Sequence, residues 1–176
     1  IQGYVSAQFN LGVMYEGGRG TRQSDTEAVK WYRKAADQGF APAQFNLGVM
    51  YEGGRGTRQS ATEALKWYRM AADQGYASAQ VNLGWMFKNG RGTQQNDTEA
   101  IKWFRKAADQ GDIIALENLR LMGEQGLWGT LQSFSVVDPI DVVRPELTLV
   151  QNPSKDRFQP FYDIRAGRSM RRHLEH

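Results

Sequence analysis

Gln8-Phe9-Asn10-Leu11-Gly12 recurs as Gln44-Phe45-Asn46-Leu47-Gly48 and as Gln80-Val81-Asn82-Leu83-Gly84, so that each copy begins 36 residues after the last. A fixed period of this length is typical of stacked supersecondary units, because one unit alone cannot bury its apolar face. The first two units differ at only three positions between residues 7–39 and 43–75. Loops that are copied as faithfully as the core indicate a surface repeated along the array, which favours binding over catalysis.

The pattern within each unit predicts two helices joined by a glycine-rich turn. In the first unit Ala7, Leu11 and Tyr15 form one apolar stripe at helical spacing, and the glycines of 17–20 end that helix. Capping boxes predict where the second helices begin: Ser24 with Glu27, Ser60 with Glu63, and Asn96 with Glu99. We therefore expect three helix pairs, over 7–16 and 25–38, 43–52 and 61–74, and 79–88 and 97–110. The first helix of an incomplete fourth unit should follow from Asp112.

Composition argues against several kinds of function. The chain has no cysteine, and its only histidines, His173 and His176, stand in an ending that looks like the start of a vector-encoded tag. Thiolate metal sites, disulfides and catalysis by cysteine or histidine are therefore not expected. The acidic residues recur once per unit, where capping and surface roles explain them. We expect no enzyme activity, no cofactor and no bound metal.

Charge and hydropathy narrow the choice of partner. The net charge is +3, and Lys and Arg do not form the clustered stripe typical of nucleic-acid binding, so no nucleic-acid partner is expected. The basic residues of the second helices, such as Lys30 and Arg33, are interpreted as a solvated face. The glycine-arginine segments are interpreted as turns between helices rather than phosphate-binding or RNA-binding loops. No apolar run approaches the roughly 18 to 20 residues that span a bilayer, so no membrane insertion is expected.

These residues resemble the Sel1-like repeat, a relative of the tetratricopeptide repeat. The resemblance covers about two thirds of the chain, in three copies and a fragment. It implies an all-α fold, a right-handed α-α superhelix whose first helices line the concave face, and adaptor or scaffold roles in protein complexes. Many secreted bacterial members close each repeat with a disulfide, which this chain cannot form. The residues that carry the resemblance in the first unit are Leu11-Gly12, Tyr15, Gly17-Gly18, Gly20, Glu27-Ala28, Trp31-Tyr32, Ala35-Ala36 and Gln38-Gly39.

The chain divides into three predicted regions. Residues 1–122 form the repeat solenoid with its terminal helix, 123–173 form a non-repeat and mostly extended C-terminal extension, and 174–176 begin the tag. The extension loses the 36-residue period, and its prolines favour extended backbone before them. The chain opens inside a repeat without a methionine, so we expect the natural N-terminus to be missing.

The candidate binding residues lie on the first helices, outside the buried stripe. Each first helix contributes an asparagine beside apolar residues. Asparagine offers two donors and an acceptor to the amide groups of an extended peptide, while apolar neighbours take alternate side chains. By the resemblance, Asn10, Asn46 and Asn82 occupy the position of the tetratricopeptide asparagine that faces a bound peptide. The predicted partner-binding residues are Phe9, Asn10, Val13, Phe45, Asn46, Val49, Val81, Asn82, Trp85 and Asn118.

Two functions from different classes stay open. The first is a noncatalytic adaptor that binds an extended peptide or a partner protein through its concave face. Its own extension, from about residue 133 to 164, is a candidate ligand within the chain or from a neighbouring chain. The second is a structural assembly module without a groove ligand, in which the asparagines bond the adjacent repeat and the extension mediates oligomerisation. An enzyme, such as a hydrolase, ranks third.

Overall fold

The computed structural model describes residues 2–124, and the side chains of residues 4–123. Within this range the chain forms seven α-helices and no strand, as the all-α prediction requires. Beyond Glu124 the predicted extension, its docking and the tag lie outside the described residues. The helices are α1 (Gln2–Gly17), α2 (Asp25–Ala36), α3 (Ala41–Gly53), α4 (Ala61–Asp73), α5 (Ala77–Asn89), α6 (Asp97–Ala108) and α7 (Ile113–Glu124).

Among the described helices, α1 is the one whose bounds differ from the prediction by more than about two residues. It begins at Gln2, whereas the sequence pattern predicted a start at residue 7. Before α3 the chain leaves the preceding helix through Gly39, whose φ is 86°, and Phe40 is extended, so α3 cannot begin earlier. At the equivalent positions of α1 no such turn intervenes, and the helix continues through residues 2–4.

The second helices begin at the predicted residues, but only half of each capping box forms. Ser24 accepts a hydrogen bond from the N–H of Glu27 at 3.3 Å, with equivalent bonds in the other two units. The N–H of Ser24 does not donate to the Glu27 carboxylate, as a complete capping box requires. It donates to the carbonyl of Tyr15 at 2.9 Å, while the Glu27 carboxylate pairs with Lys30. Each N-cap therefore also closes the turn back onto the first helix.

The two helices of a unit cross where the first helix has a glycine. A Cβ built on Gly12 would lie 2.6 Å from the ring of Tyr32, and one on Gly48 would lie 2.6 Å from the ring of Tyr68. Both rings are fully buried. The glycine of each repeated Leu-Gly pair is therefore required for the close approach of the helices.

A chain of glutamines links the helices within and between units. Gln44 is buried, accepts a hydrogen bond from Gln74 at 2.6 Å, and donates to the carbonyl of Ala36 at the end of the preceding unit at 3.1 Å. Gln80 repeats both bonds one unit later. The first residue of the Gln-x-Asn-Leu-Gly repeat is therefore architectural, because a buried amide needs hydrogen-bond partners for both its nitrogen and its oxygen.

Candidate partner-binding surface

The aromatic residues of the predicted binding set pack between helices. The Phe9 ring lies 5.7 Å from the ring of Tyr32 and 5.4 Å from that of Phe40, measured between centroids. Phe45 makes the equivalent contacts one unit later, at 5.7 and 5.3 Å. Both phenylalanines are half-buried, so each combines a packing role with an accessible edge.

Two residues of the predicted set are buried. Val81 is 5% exposed and belongs to the hydrophobic cluster that joins α5, α6 and α7. Asn118 is 4% exposed and donates its Nδ2 to the carbonyl of Ile114 at 2.8 Å. Its Oδ1 is buried without a hydrogen-bond partner among the described residues. Neither side chain can contact a partner unless the surrounding helices move.

The rest of the set is accessible to different degrees. Trp85 is 41% exposed, and Phe45 and Val49 are half-buried, so all three side chains reach the surface. The remaining members, including the asparagines of α1, α3 and α5, are exposed or half-buried. The accessible residues are Phe9, Asn10, Val13, Phe45, Asn46, Val49, Asn82 and Trp85.

Charge is divided unequally between the first and second helices. The second helices carry five charged residues in α2, four in α4 and five in α6. The described side chains of α1, α3 and α5 include only one each, and α7 has a mutually paired Glu117 and Arg120. The first-helix face therefore offers amide and apolar groups with little net charge.

A polar cluster, which we call the Glu-Tyr-Arg cluster, joins successive units. The Tyr32 hydroxyl donates to Glu16 at 2.5 Å, and Arg55 from the turn of the next unit pairs with the same carboxylate at 2.7 Å. The turn arginine is therefore an inter-repeat contact, which the sequence interpretation of a simple turn had missed. One unit later the cluster consists of Tyr68, Glu52 and Arg91, with both distances 2.8 Å.

The cluster also reaches the asparagines of the candidate surface. Burial raises the pKa of Tyr32 and Tyr68 far above the ordinary value, and the adjacent glutamate raises it further. The side-chain amide of Asn46 lowers the pKa of Tyr32, and that of Asn82 lowers the pKa of Tyr68, so each offsets part of the rise. Each tyrosine therefore stays protonated at physiological pH and can donate to its glutamate.

The third unit lacks this cluster. Lys88 stands at the position of Glu16 and Glu52, and Phe104 stands at the position of the tyrosine. The glutamate and the tyrosine of the cluster are thus both replaced in this unit. Asn118, whose equivalents lie near a tyrosine hydroxyl, has no hydroxyl at Phe104 and bonds within its own helix. This paired change is visible within the sequence and could have revealed the cluster.

Arg33 departs from the solvated basic face predicted for the second helices. It donates a hydrogen bond to the Tyr51 hydroxyl in the next unit. Its guanidinium lies 5.6 Å from the ring centroids of both Tyr51 and Trp67. A guanidinium between two rings gains cation–π stabilisation and covers apolar surface with its stem. At this position the basic residue is an inter-repeat contact.

The comparisons with known proteins agree with these repeats. The model of the Sel1 repeat matches residues 5–40, 41–76 and 77–112. This chain belongs to the Sel1 repeat family. The resemblance drawn from the sequence is therefore confirmed, and with it the right-handed α-α superhelix. Sel1 repeat proteins are generally noncatalytic scaffolds for protein–protein interaction.

Three solved structures share this fold. A Sel1 repeat protein from Oxalobacter formigenes is 45% identical, with a TM-score of 0.68 over 71% of this chain and 51% of its own. A protective antigen of uropathogenic Escherichia coli is 41% identical, with a TM-score of 0.69 over 71% of this chain and 27% of its own. Cysteine rich protein B of Helicobacter pylori is 25% identical, with a TM-score of 0.57 over 68% and 91%.

The first two of these relatives are longer than the part that matches this chain. The chain spans about half the length of the Oxalobacter protein and about a quarter of the Escherichia antigen. No curated protein matches the chain.

Across residues 2–124, no helix is both long and apolar enough to cross a membrane. The same residues contain no group of three or more His, Cys, Asp or Glu placed to hold a metal ion.

Proposed function

We propose that this Sel1 repeat protein is a noncatalytic adaptor that binds an extended segment of a partner protein along its first-helix face. The supporting observation is the composition of that face. Asn46 and Asn82 recur at one-unit spacing beside accessible Phe45, Val49 and Trp85, while most charge lies on the second helices. Such a face is suited to a ligand held by its backbone amides and by apolar side chains.

The hydrogen bonding of the asparagines leaves capacity for a ligand. An asparagine side chain has two donor hydrogens and an acceptor oxygen with two lone pairs. Asn46 acts on the pKa of Tyr32, and Asn82 acts on that of Tyr68. An amide that interacts with one hydroxyl still has further donor and acceptor groups for a peptide. Architectural and binding roles are therefore compatible in the same residue.

A displayed random-peptide library panned against the full chain tests this proposal. Peptides recovered by the wild-type chain should bind the double variant Asn46→Ala/Asn82→Ala about 30-fold more weakly, the equivalent of two lost hydrogen bonds of about 1 kcal/mol each. The matched control is Lys66→Ala/Lys102→Ala on the second helices, which should bind as the wild type does. Melting temperatures measured in parallel show whether the asparagine variant is folded.

The alternative, an assembly module without a groove ligand, makes the opposite prediction. The library should then yield no peptide that distinguishes the two double variants, and the full chain should self-associate in light scattering. A large loss of melting temperature in the asparagine variant, with peptide binding unchanged, would identify these residues as purely architectural.

A further inference from the structure

The third unit changes the character of the first-helix face at two neighbouring positions. Lys88 replaces the glutamate of the Glu-Tyr-Arg cluster, and Trp85 replaces the valine found at Val13 and Val49. The two residues are three apart on α5 and therefore lie on the same side of the helix. Trp85 is also the most exposed apolar residue of the predicted binding set. The repeat symmetry is broken at one place on the surface.

The exposed indole is held by contacts on α5 and α6. The ring of Phe104 meets it edge-on, with centroids 6.3 Å apart and an interplanar angle of 87°. The Nζ of Lys88 lies 5.1 Å from the Trp85 centroid. The side-chain amide of Asn89 donates to the Trp85 carbonyl at 2.8 Å, which fixes the end of the helix. Together these contacts hold an exposed indole that carries a cation over its ring.

Among the described residues, no carboxylate balances the charge of Lys88. Glu16 and Glu52 each bond both a tyrosine and an arginine, whereas Lys88 forms no ion pair in the part of the chain that the structure describes. It is also the one charged side chain of α5. An ammonium group beside an aromatic ring is complementary to a carboxylate carried next to a large apolar group.

We propose that Trp85 and Lys88 form a subsite for an acidic residue adjacent to a large apolar residue in an extended peptide. The apolar side chain packs on the indole of Trp85, and the Asp or Glu carboxylate pairs with the Lys88 ammonium. Asn82, one turn earlier on α5, bonds the peptide backbone beside them. This inference rests on the proposed function, because it specifies the chemistry of a ligand on the same face.

Three labelled peptides test the subsite by fluorescence anisotropy with the full chain. They are acetylated and amidated octapeptides of otherwise uncharged sequence, with Leu-Glu, Leu-Gln or Leu-Lys at the centre. The Leu-Glu peptide should bind about 2- to 5-fold more tightly than the Leu-Gln peptide, the range expected of a partly exposed ion pair. The preference should shrink as salt is added.

Variants separate the two halves of the subsite. Lys88→Met should abolish the preference for Leu-Glu but keep the affinity for Leu-Gln, and Lys88→Glu should shift the preference to Leu-Lys. Trp85→Val restores the residue of the first two units, so it should fold, and it should weaken all three peptides. Lys102→Met on α6, which removes an exposed lysine paired with Glu99, is the matched control and should change none of these affinities.

Each contrary result has a distinct meaning. Equal binding of Leu-Glu and Leu-Gln by the wild-type chain would overturn the role of Lys88 and leave binding along the face intact. A preference for Leu-Glu that persists in Lys88→Met would overturn the pairing of the acidic side chain with Lys88. If none of the three peptides binds, the subsite is wrong, while the library selection decides separately whether the face binds peptides at all.

Discussion

The turns at 17–21 and 53–57 have the same sequence but different surroundings. Gly56 lies against the backbone of the preceding unit, where an added Cβ would come within 2.2 Å of the Asp25 carbonyl oxygen. At Gly20 an added Cβ would meet only the Met14 side chain, at 3.3 Å. The turn arginines differ in the same way, because Arg55 pairs with a carboxylate of the preceding unit and Arg19 has no such partner among the described residues.

The first helices show the same contrast. Met14 is 39% exposed, whereas Met50, its equivalent one unit later, is fully buried. Ala7 is exposed, and Ala43 is fully buried. A repeat sequence therefore encodes contacts that form only when another repeat lies before it, as nearest-neighbour models of solenoid stability assume. Identical residues in the first and second units provide matched pairs in which the local backbone is constant and only the neighbour differs.

The largest effect is expected from Gly56→Ala compared with Gly20→Ala. Both glycines have positive φ, 64° and 69°, so alanine costs about 1 to 2 kcal/mol at either position. At Gly56 the new Cβ also overlaps the backbone of Asp25, which cannot rotate away as a side chain can. We expect Gly56→Ala to lower the free energy of unfolding by about 3 kcal/mol or more, since overpacking adds about 1 to 3 kcal/mol.

Urea denaturation of the full chain followed by circular dichroism measures this difference. If the two variants lost equal stability, the strain of positive φ would account for the whole effect. The seating of the turn on the preceding unit would then contribute nothing.

The second comparison uses two glycines of α3. Gly48→Ala places a Cβ 2.6 Å from the buried ring of Tyr68, so we expect a loss of about 1 to 3 kcal/mol. Gly53→Ala meets only the Arg55 side chain at 3.6 Å and should range from no change to a gain of about 1 kcal/mol through helix propensity. A stabilised Gly48→Ala in thermal denaturation would contradict the required helix crossing.

The sequence predicted the helices well because their signals are local. Glycine at a helix end, an N-cap residue and apolar residues at helical spacing each act within a few positions, and the repetition confirmed them three times. Contacts between units are not local. The hydrogen-bond partner of Gln44 lies 8 positions away in the sequence, that of Glu16 lies 39 positions away, and that of Arg33 lies 18 positions away. The sequence of a single helix therefore does not reveal these contacts.

The candidate surface was predicted less completely for a related reason. A helical wheel shows which side of its own helix a side chain occupies. It does not show whether a neighbouring helix covers that side. Asn118 and Val81 were placed on the face by their register and are buried by packing at the third unit. Trp85 is exposed, as its position outside the buried stripe indicated, because an outward position on one helix was sufficient for its exposure.

The third comparison concerns the hydroxyl that the first two units have and the third lacks. Tyr68→Phe removes one hydrogen bond to Glu52 and leaves the ring in place, and Phe104 shows that a phenyl ring fits this position. We expect a loss of about 1 kcal/mol in the free energy of unfolding, the usual contribution of one hydrogen bond. The stability curve measured in urea should shift without a change in slope.

The double variant Lys88→Glu/Phe104→Tyr provides the converse test. It restores the glutamate and the hydroxyl to the third unit, where Asn118 could then bond the new tyrosine. Stability should rise by up to about 1 kcal/mol relative to either single variant. If the two changes are strictly additive, the glutamate and the tyrosine do not act as a pair in this unit.

The smallest effect is expected from Arg55→Ala compared with Arg19→Ala. The Arg55 ion pair with Glu16 is partly exposed, with side-chain exposures of 42% and 28%, so its loss should cost about 0.2 to 1 kcal/mol. Arg19→Ala, in an identical turn without a carboxylate partner in the described residues, should cost nothing measurable at the same salt concentration. Because salt screens partly exposed charges, the difference between the two variants should shrink between about 0.05 and 0.5 M sodium chloride. A difference that is independent of salt would assign the effect of Arg55 to packing of its aliphatic stem rather than to the ion pair between units.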